Sequence, residues 1–576
     1  MKINIYFCIV FIMAMIAFIT DIILYIIGGK YLMSLIISAL IVINIFVYWI
    51  KKQKIEITID FEKTDVFLFI GMFFITIFSG IVYPDFVYDT ISYHEYLQKN
   101  PFMDKVNYDF FPGRIYCMGL FPVGDRMYYI IRYFFGYRFG ATLSFFSTIV
   151  IFYQVKNILK ILTNNSKMSS IITYGIFLLM SYSIYVGTYY IDNICVLFTL
   201  QILYIILSNN DLFQCKSKLR LIALISGIAI GIKITQIFFI VPLLIYMLIK
   251  NIKDIKNVNL LDIIQCFILA ILPYIVYLID NYMQTGNMLF PYYNAIFKSE
   301  YFGDYNWIDE RFTLNGLINY LFWPVIEGFN YGYYGDEHIF IDPIFGISYI
   351  CTILYIVYCF IKRKRDIKFQ ISILAMACYV IWIITMKGYF RYGFFVGILC
   401  CLVLYAIIVE WLGKKKISNF YSFPLYISII VTEVFLGFYI LIIGCDFENG
   451  KYIFKDTDKK EYKIEIDGVW GAPKDCCAYV SLVRKEGTPI YNLHREYFSD
   501  KETTLKMWED RIKNNDIYTI IDYYGGDFEN CYLVKKLKED GFEIEEIVEV
   551  YNVNEIPYMN ANSVWCLVKL KYNQIN

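Results

Sequence analysis

Long unbroken apolar runs dominate the first three quarters of the chain. They fall at about 4–27, 31–50, 65–84, 138–158, 168–187, 190–208, 219–232, 234–250, 261–281, 342–361, 368–386, 390–412 and 423–444. Most are near 20 residues, and at about 1.5 Å per residue such a helix crosses a hydrocarbon core of about 30 Å. The pattern therefore predicts an α-helical polytopic membrane protein of about thirteen spans. The first run is too long for a signal-peptide core and has no small-residue cleavage site behind it, so it reads as a retained span.

Beyond 444 the pattern changes. Alternating stretches such as "YTIIDYY" (518–524), "FEIEEIVEVY" (542–551) and "SVWCLVKLKY" (563–572) read as strands. "ENCYLVKKLKEDG" (529–541) reads as a helix stopped by Gly541. A small α/β domain over 445–576 is the expectation. It carries no Gly-rich phosphate loop behind its strands. The chain thus divides into 1–64, an N-terminal pair of spans and a loop; 65–444, a transmembrane core with large loops at 84–137 and 282–341; and the domain from 445.

Charge orients these runs. Lys and Arg total 52, as do Asp and Glu, so net charge gives no sign of a nucleic-acid partner. Position is informative instead. Basic clusters occur at 51–54, 156–167, 216–220, 250–256, 362–365 and 414–416. With the N-terminus in the cytoplasm all six fall on the cytoplasmic side, and an odd number of spans puts the C-terminal domain outside. Most of the fifteen cysteines sit in apolar runs, where a thiol packs as a small hydrophobe. Cys445, Cys476, Cys477, Cys531 and Cys566 lie in the polar tail, where an extracytoplasmic location would permit a disulfide.

Several charged residues fall at the predicted outer mouths of spans. The loop 84–137 opens with "PDFVYDTISYHEYL", holding Asp85, Asp89, His94 and Glu95 among aromatics. On a helix Asp85 and Asp89 share a face and Glu95 does not. A partly desolvated carboxylate there can serve as a general base, or two can bind a divalent cation through oxygen; the plain alternative is a solvated interfacial acid. His94 has no second histidine nearby in sequence, so a zinc site has little support and His94 is a base, a ligand or a hydrogen-bonded structural group. Lys233 lies between two runs in "GIAIGIKITQ" and either meets a phosphate or snorkels to the interface. Lys387 and Arg391 occupy "MKGYFRYG", where Arg suits bidentate phosphate recognition or interfacial anchoring. Asn287 in "TGNMLFPYYNAIFKS" offers a polar contact or caps a helix end, and Asp192 reads as a helix cap. Carboxylates and cations gathered on one membrane face suit an anionic lipid with a polar head.

These motifs resemble the polytopic glycosyltransferases of the GT-C superfamily that use sugars carried on polyprenyl phosphate. The resemblance covers roughly 65–412. It is carried by "YDTISYH" (88–94), "GNMLFPYYNAIF" (286–297), "GIAIGIK" (227–233) and Arg391–Tyr392. It implies many spans, interface helices in the first large loop and inverting transfer. The sugar would go to an extracytoplasmic polysaccharide, lipid or protein acceptor. It implies Asp89 as base, with Lys233 and Arg391 on the leaving phosphate and Asp85, His94, Glu95, Asn287 and Tyr392 around the substrate. No cofactor beyond a divalent cation follows. Two runs precede the usual core, and the adjacent acidic pair common in the family is missing, so Asp85 or Glu95 would supply a second carboxylate. A polysaccharide polymerase or ligase, and a non-catalytic transporter of lipid-linked saccharide, are the other readings. Asp21, Asp192 and Asp280, inside or at the ends of runs, keep the transporter open.

Overall fold

The computed structural model describes residues 2–53, 55–59, 94, 97–98, 121–140, 142–164, 188–208, 212–299, 303–306, 316–329, 343–386 and 388–414 of the helical part. In the tail it describes 445–448, 451–454, 464–472, 480, 483, 485, 488, 490–493, 509–510, 512–523, 528–552 and 564–573. The predicted runs 65–84, 168–187 and 423–444 lie outside the described residues, and the other ten are helical.

Helix α1 (Ile5–Ile27) starts behind Asn4, whose side chain accepts the Tyr6 N–H at 2.8 Å. It stops at Gly28, where φ is 70° and the amide bonds back to Leu24. α1 is a core helix, burying Phe7, Phe11, Ala14 and Phe18. Its partner α2 (Tyr31–Gln53) leaves Ile36, Leu40, Ile43 and Val47 exposed, an apolar face that a bilayer would cover. Strand β1 (Lys2–Asn4) pairs in parallel with β2 (Glu56–Thr58) and ties the two helices at that end.

Helix α3 (Val123–Phe135) is amphipathic, with Val123, Met127 and Tyr128 buried and Tyr133 to Phe135 exposed. It leads to α4 (Thr142–Thr163), which packs along α5 (Asp192–Ser208). Then come α6 (Lys216–Ile232), α7 (Ile237–Lys250), α8 (Leu260–Ile271) and α9 (Ile275–Thr285), the last two joined by a 3-10 turn containing Pro273. α8 opens with a reciprocal capping box between Asn259 and Asp262. α6 and α8 approach closely at Gly227, where a Cβ would lie 2.2 Å from the Ala270 carbonyl oxygen. One turn on, a Cβ at Gly231 would press on Val123 at 3.1 Å. The two glycines of "GIAIGIK" are thus a packing seam. α10 (Leu317–Phe329), α11 (Pro343–Lys362), α12 (Ile367–Met386) and α13 (Phe394–Lys414) complete the bundle, with α13 buried against α4, α11 and α12.

Among the described residues seven helical segments are long and apolar enough to cross a membrane, and Asp192–Ser208 and Ile234–Lys250 are shorter apolar ones. The chain is a multi-pass helical membrane protein with a small C-terminal sheet domain.

That domain has a hairpin, β3 (Cys445–Glu448) with β4 (Lys451–Phe454), and a five-stranded mixed sheet. The sheet strands are β5 (Val469–Ala472), β6 (Ile490–Asn492), β7 (Ile517–Tyr523), β8 (Phe542–Asn552) and β9 (Val564–Tyr572), ordered β6-β5-β7-β9-β8. β5 runs parallel to β6 and β7, and β9 antiparallel to β7 and β8. Helix α14 (Tyr532–Glu539) lays Val534 and Leu537 into one face, with Leu493, Phe542 and Val568. Trp470, Trp565 and Tyr551 fill the other. Three of these strands and the helix match the expected stretches; β5 and β6, at four and three residues, are too short to show an alternating pattern. Cys531 and Cys566 are free thiols, and Cys476 and Cys477 lie outside the described residues.

Candidate functional site at the helix breaks

Three chain breaks converge at the end of the bundle opposite the basic clusters. α5 begins at Asp192. α6 ends at Lys233, whose extended backbone (φ −152°, ψ 116°) interrupts the helix before a 3-10 turn, Ile234–Gln236, restarts it as α7. α12 ends at Met386, and the chain turns through Gly388 (φ 73°) into a 3-10 turn, Phe390–Gly393, before α13. This last turn is pinned: Trp323 Nε1 donates to the Gly388 carbonyl at 2.6 Å and Trp382 Nε1 to that of Tyr389 at 2.9 Å. Gly393 lies so close to the Trp382 ring that a Cβ would come within 2.5 Å of it. The cations at these breaks are therefore held on fixed backbone.

Their geometry is compact. Lys233 Nζ lies 2.7 Å from Asp192 Oδ1, and Arg391 Nε 3.7 Å from Asp192 Oδ2, with all three side chains largely buried (11 %, 4 % and 6 % exposed for Lys233, Arg391 and Asp192). Lys233 also caps the Tyr392 ring at 3.8 Å, and the Arg391 guanidinium covers the Tyr190 ring at 4.4 Å. A cavity of about 10 Å³, the size that admits one water, is lined by Asp192, Lys233, Gln236, Phe239, Arg391 and Tyr392 among others. The first turns of α5, α7 and α13 all contribute to its wall, so helix N-termini add positive potential to that of the two cations.

A second polar cluster abuts the first through Tyr190. The His94 ring meets the Tyr190 ring edge-on at 6.2 Å between centroids, and His94 Nδ1 lies 2.8 Å from Asp125 Oδ1. Burial pushes the Asp125 carboxyl above the usual carboxylate range, and His94 beside it works against that rise. The next residue, Arg126, donates to the Gln98 carbonyl and, from Nε at 3.1 Å, to Asp21 of α1. Tyr277 donates to the same Asp21 oxygen, and Arg132 to the Gln98 side chain at 3.1 Å. α1, α3 and α9 are thereby locked to the segment holding His94 and Gln98.

Of the residues singled out from the sequence, His94, Lys233, Arg391 and Tyr392 come together. Asn287 does not join them. It is buried in its own turn, donating to the Tyr292 carbonyl at 3.0 Å and to Asn294 Oδ1 at 3.2 Å while accepting from Leu289 N–H at 2.9 Å. Asp85, Asp89, Glu95 and Lys387 lie outside the described residues. Among the described residues no three His, Cys, Asp or Glu side chains gather as a metal site requires.

Sequence reasoning passed over Asp125, Arg126, Tyr190 and Tyr389, and took Asp192 for a helix cap. Two signals were there to be used. Asp21 is an acid deep in an apolar run, which calls for a buried cation. "VGDR" (123–126) supplies one beside a second acid.

No family model matches the chain, and no curated protein does. Among solved structures the chain is similar to that of ArnT from Cupriavidus metallidurans bound to undecaprenyl phosphate, at 11% identity and a TM-score of 0.49. The similarity covers 87% of this chain and 97% of that one.

Proposed function

We propose that the chain is a membrane glycosyltransferase that takes a sugar from a polyprenyl-phosphate carrier and passes it, with inversion, to an extracytoplasmic polysaccharide, lipid or protein. One observation carries this reading. Lys233 and Arg391, far apart in sequence, meet in a buried cluster ringed by aromatics and helix N-termini, at the end of the bundle opposite the basic loops. With the N-terminus in the cytoplasm that end faces outward, and so does the domain from 445.

In this scheme the acceptor hydroxyl attacks the anomeric carbon as the bond from that carbon to the phosphate oxygen breaks. The bonding pair stays on the phosphate, which leaves as polyprenyl phosphate. The hydroxyl proton passes to a carboxylate, for which Asp89 of "YDTISYH" is the choice. A positioned base of this kind contributes typically 10²–10⁴-fold. Lys233 and Arg391 stabilise charge growing on the leaving oxygen, in surroundings already organised for an anion. His94, held by Asp125, lies one aromatic ring away from Arg391.

A transporter reading draws less support. Its candidate charges are engaged by protein side chains: Asp21 with Arg126 and Asp192 with Lys233 from other helices, and Asp280 with Gln284 at 3.0 Å. The test is binding of undecaprenyl phosphate and of uncharged undecaprenol to the purified protein in nanodiscs. Tight binding of the phosphate alone, weakened at least tenfold in Arg391→Ala, is expected, together with loss of sugar transfer but not of expression in Asp89→Asn. Equal binding of the two lipids, or an active Asp89→Asn protein, would sink the proposal.

A further inference from the structure

The turn that restarts α7 brings uncharged polar side chains to the same cavity. Gln236, the last residue of the 3-10 turn Ile234–Gln236, is buried and lines the cavity beside Lys233. Its Oε1 lies 2.8 Å from the Thr199 hydroxyl of α5, an oxygen–oxygen contact that requires the hydroxyl proton between them. Thr199 is itself fully buried, with its hydroxyl 3.1 Å from the Cys195 carbonyl of its own helix. The carboxamide is therefore held from the α5 side.

With the amide oxygen fixed on Thr199, the NH2 group is turned away from it. Neither N–H finds an acceptor among the described residues. Thr235, the residue before, lines the same cavity, and its hydroxyl also has no hydrogen-bond partner among the described residues. Buried polar groups in this state cost free energy, and folded proteins keep few of them. Here two consecutive residues carry them at the wall of a cavity with room for one oxygen-sized group and not for a sugar ring. The group that satisfies an N–H donor there is a single acceptor oxygen.

We infer that Gln236 is a binding residue whose NH2 donates to an oxygen of the bound phosphate, and that Thr199 is a positioning residue that aims it. This rests on the carrier-phosphate reading above. Thr199 belongs to the helix that begins at Asp192, and Gln236 to the turn behind Lys233. The hydrogen bond between them thus sets the amide against the same two helix ends that carry the ion pair.

The probes are undecaprenyl phosphate and uncharged undecaprenol, their Kd values measured on the full-length protein in nanodiscs. Gln236→Leu should weaken the phosphate about tenfold, the loss of one hydrogen bond to a charged group, and leave undecaprenol unchanged. Gln236→Glu keeps the acceptor for Thr199 but replaces the donor, and should weaken the phosphate at least as much. Wild-type binding in Gln236→Glu, the mark of a purely structural bridge, overturns the inference. Thr199→Val should weaken the phosphate about threefold, and Thr199→Ser should restore it. In the Gln236→Leu background Thr199→Val should add nothing; additive losses there overturn the positioning role. Should Gln236→Leu fail to fold, Gln236→Glu and the Thr199 variants still decide. Inorganic phosphate separates the two sources of such an oxygen. Displacement of the lipid only at concentrations far above the lipid's Kd assigns the site to the carrier head, and displacement at matching concentrations overturns that assignment. If wild-type protein binds the phosphate no better than undecaprenol, the functional reading itself falls. If it prefers the phosphate and Gln236→Leu keeps that preference in full, this inference alone falls.

Discussion

The Asp21–Arg126 pair permits a quantitative test of how the bundle is tied together. Both side chains are 1 % exposed, and the Nε to Oδ2 distance is 3.1 Å. At an effective dielectric constant of about 20, two unit charges at that separation attract by about 5 kcal/mol. Replacing Arg126 by Met leaves a buried carboxylate with the Tyr277 hydroxyl alone among its described partners, and replacing Asp21 by Leu takes from the buried Arg126 guanidinium its ion-pair partner while the Gln98 carbonyl remains. Each single variant should lose about 3–5 kcal/mol. The double variant strands no charge. It loses the Tyr277 and Gln98 hydrogen bonds and should cost only about 1–3 kcal/mol.

Unfolding by SDS, followed through tryptophan fluorescence, gives the double-mutant cycle. The singles would sum to about 6–10 kcal/mol if independent, so a double near 1–3 kcal/mol implies coupling of at least about 3 kcal/mol. A double variant as unstable as the sum of the singles would show that the pair does not hold α1 against α3. Because Arg126 also holds the Gln98 carbonyl and adjoins Asp125, the single Arg126→Met should in addition weaken undecaprenyl phosphate binding by releasing the His94 segment.

Three further outcomes follow from local geometry. Burial pushes the Glu327 carboxyl up to about 7, from an ordinary value of 4.5. Between those values the folded state binds more protons than the unfolded one, so stability falls as pH rises through that window and is flat on either side. Glu327→Gln should abolish the slope and gain of order 1–3 kcal/mol at pH 8, read as a pH series of melting temperatures; an unchanged slope would refute it. Gly227→Ala sets a Cβ 2.2 Å from the Ala270 carbonyl oxygen, which no rotamer can relieve. It should cost about 1–3 kcal/mol despite the better helix propensity, and displace Lys233 enough to weaken undecaprenyl phosphate binding; wild-type stability and binding would contradict that. Trp470→Ala empties the centre of one sheet face and should destabilise the tail domain by about 3–5 kcal/mol, seen as faster limited proteolysis beyond 445.

Apolar runs of spanning length carry their own period-free signal, which is why the helices are legible from sequence to within a few residues. The pair 219–232 and 234–250 is a case in point. A lysine flanked by apolar residues implied a break there, and the chain does leave helical geometry at Lys233. The candidate cluster was legible only where a motif and a break coincide, as at Lys233 and Arg391–Tyr392. Asp192 escaped because an acid at the first position of a helix has a sufficient local explanation, favourable interaction with the helix dipole. Only the fold reveals that two cations from other helices reach it.

Asn287 teaches the converse. "GNMLFPYYNAIF" looks like a binding motif because its polar residues are spaced in a regular way. The spacing is that of a turn satisfying its own backbone: Asn287 serves Tyr292 and Leu289, and Asn294 serves the Ser299 amide at 2.9 Å and the Gly303 carbonyl at 3.0 Å. A buried amide has four hydrogen-bonding valences to fill; Asn294 fills four and Asn287 three, all with groups within nine residues. The charges at the helix breaks differ in kind, since no local backbone can neutralise a buried ammonium or guanidinium. They must draw a partner from another helix or from a ligand. At the helix breaks Asp192 draws both Lys233 and Arg391, so the fold brings charges from three helices to one cavity. That convergence is the physical link between the broken helices and the chemistry proposed for them.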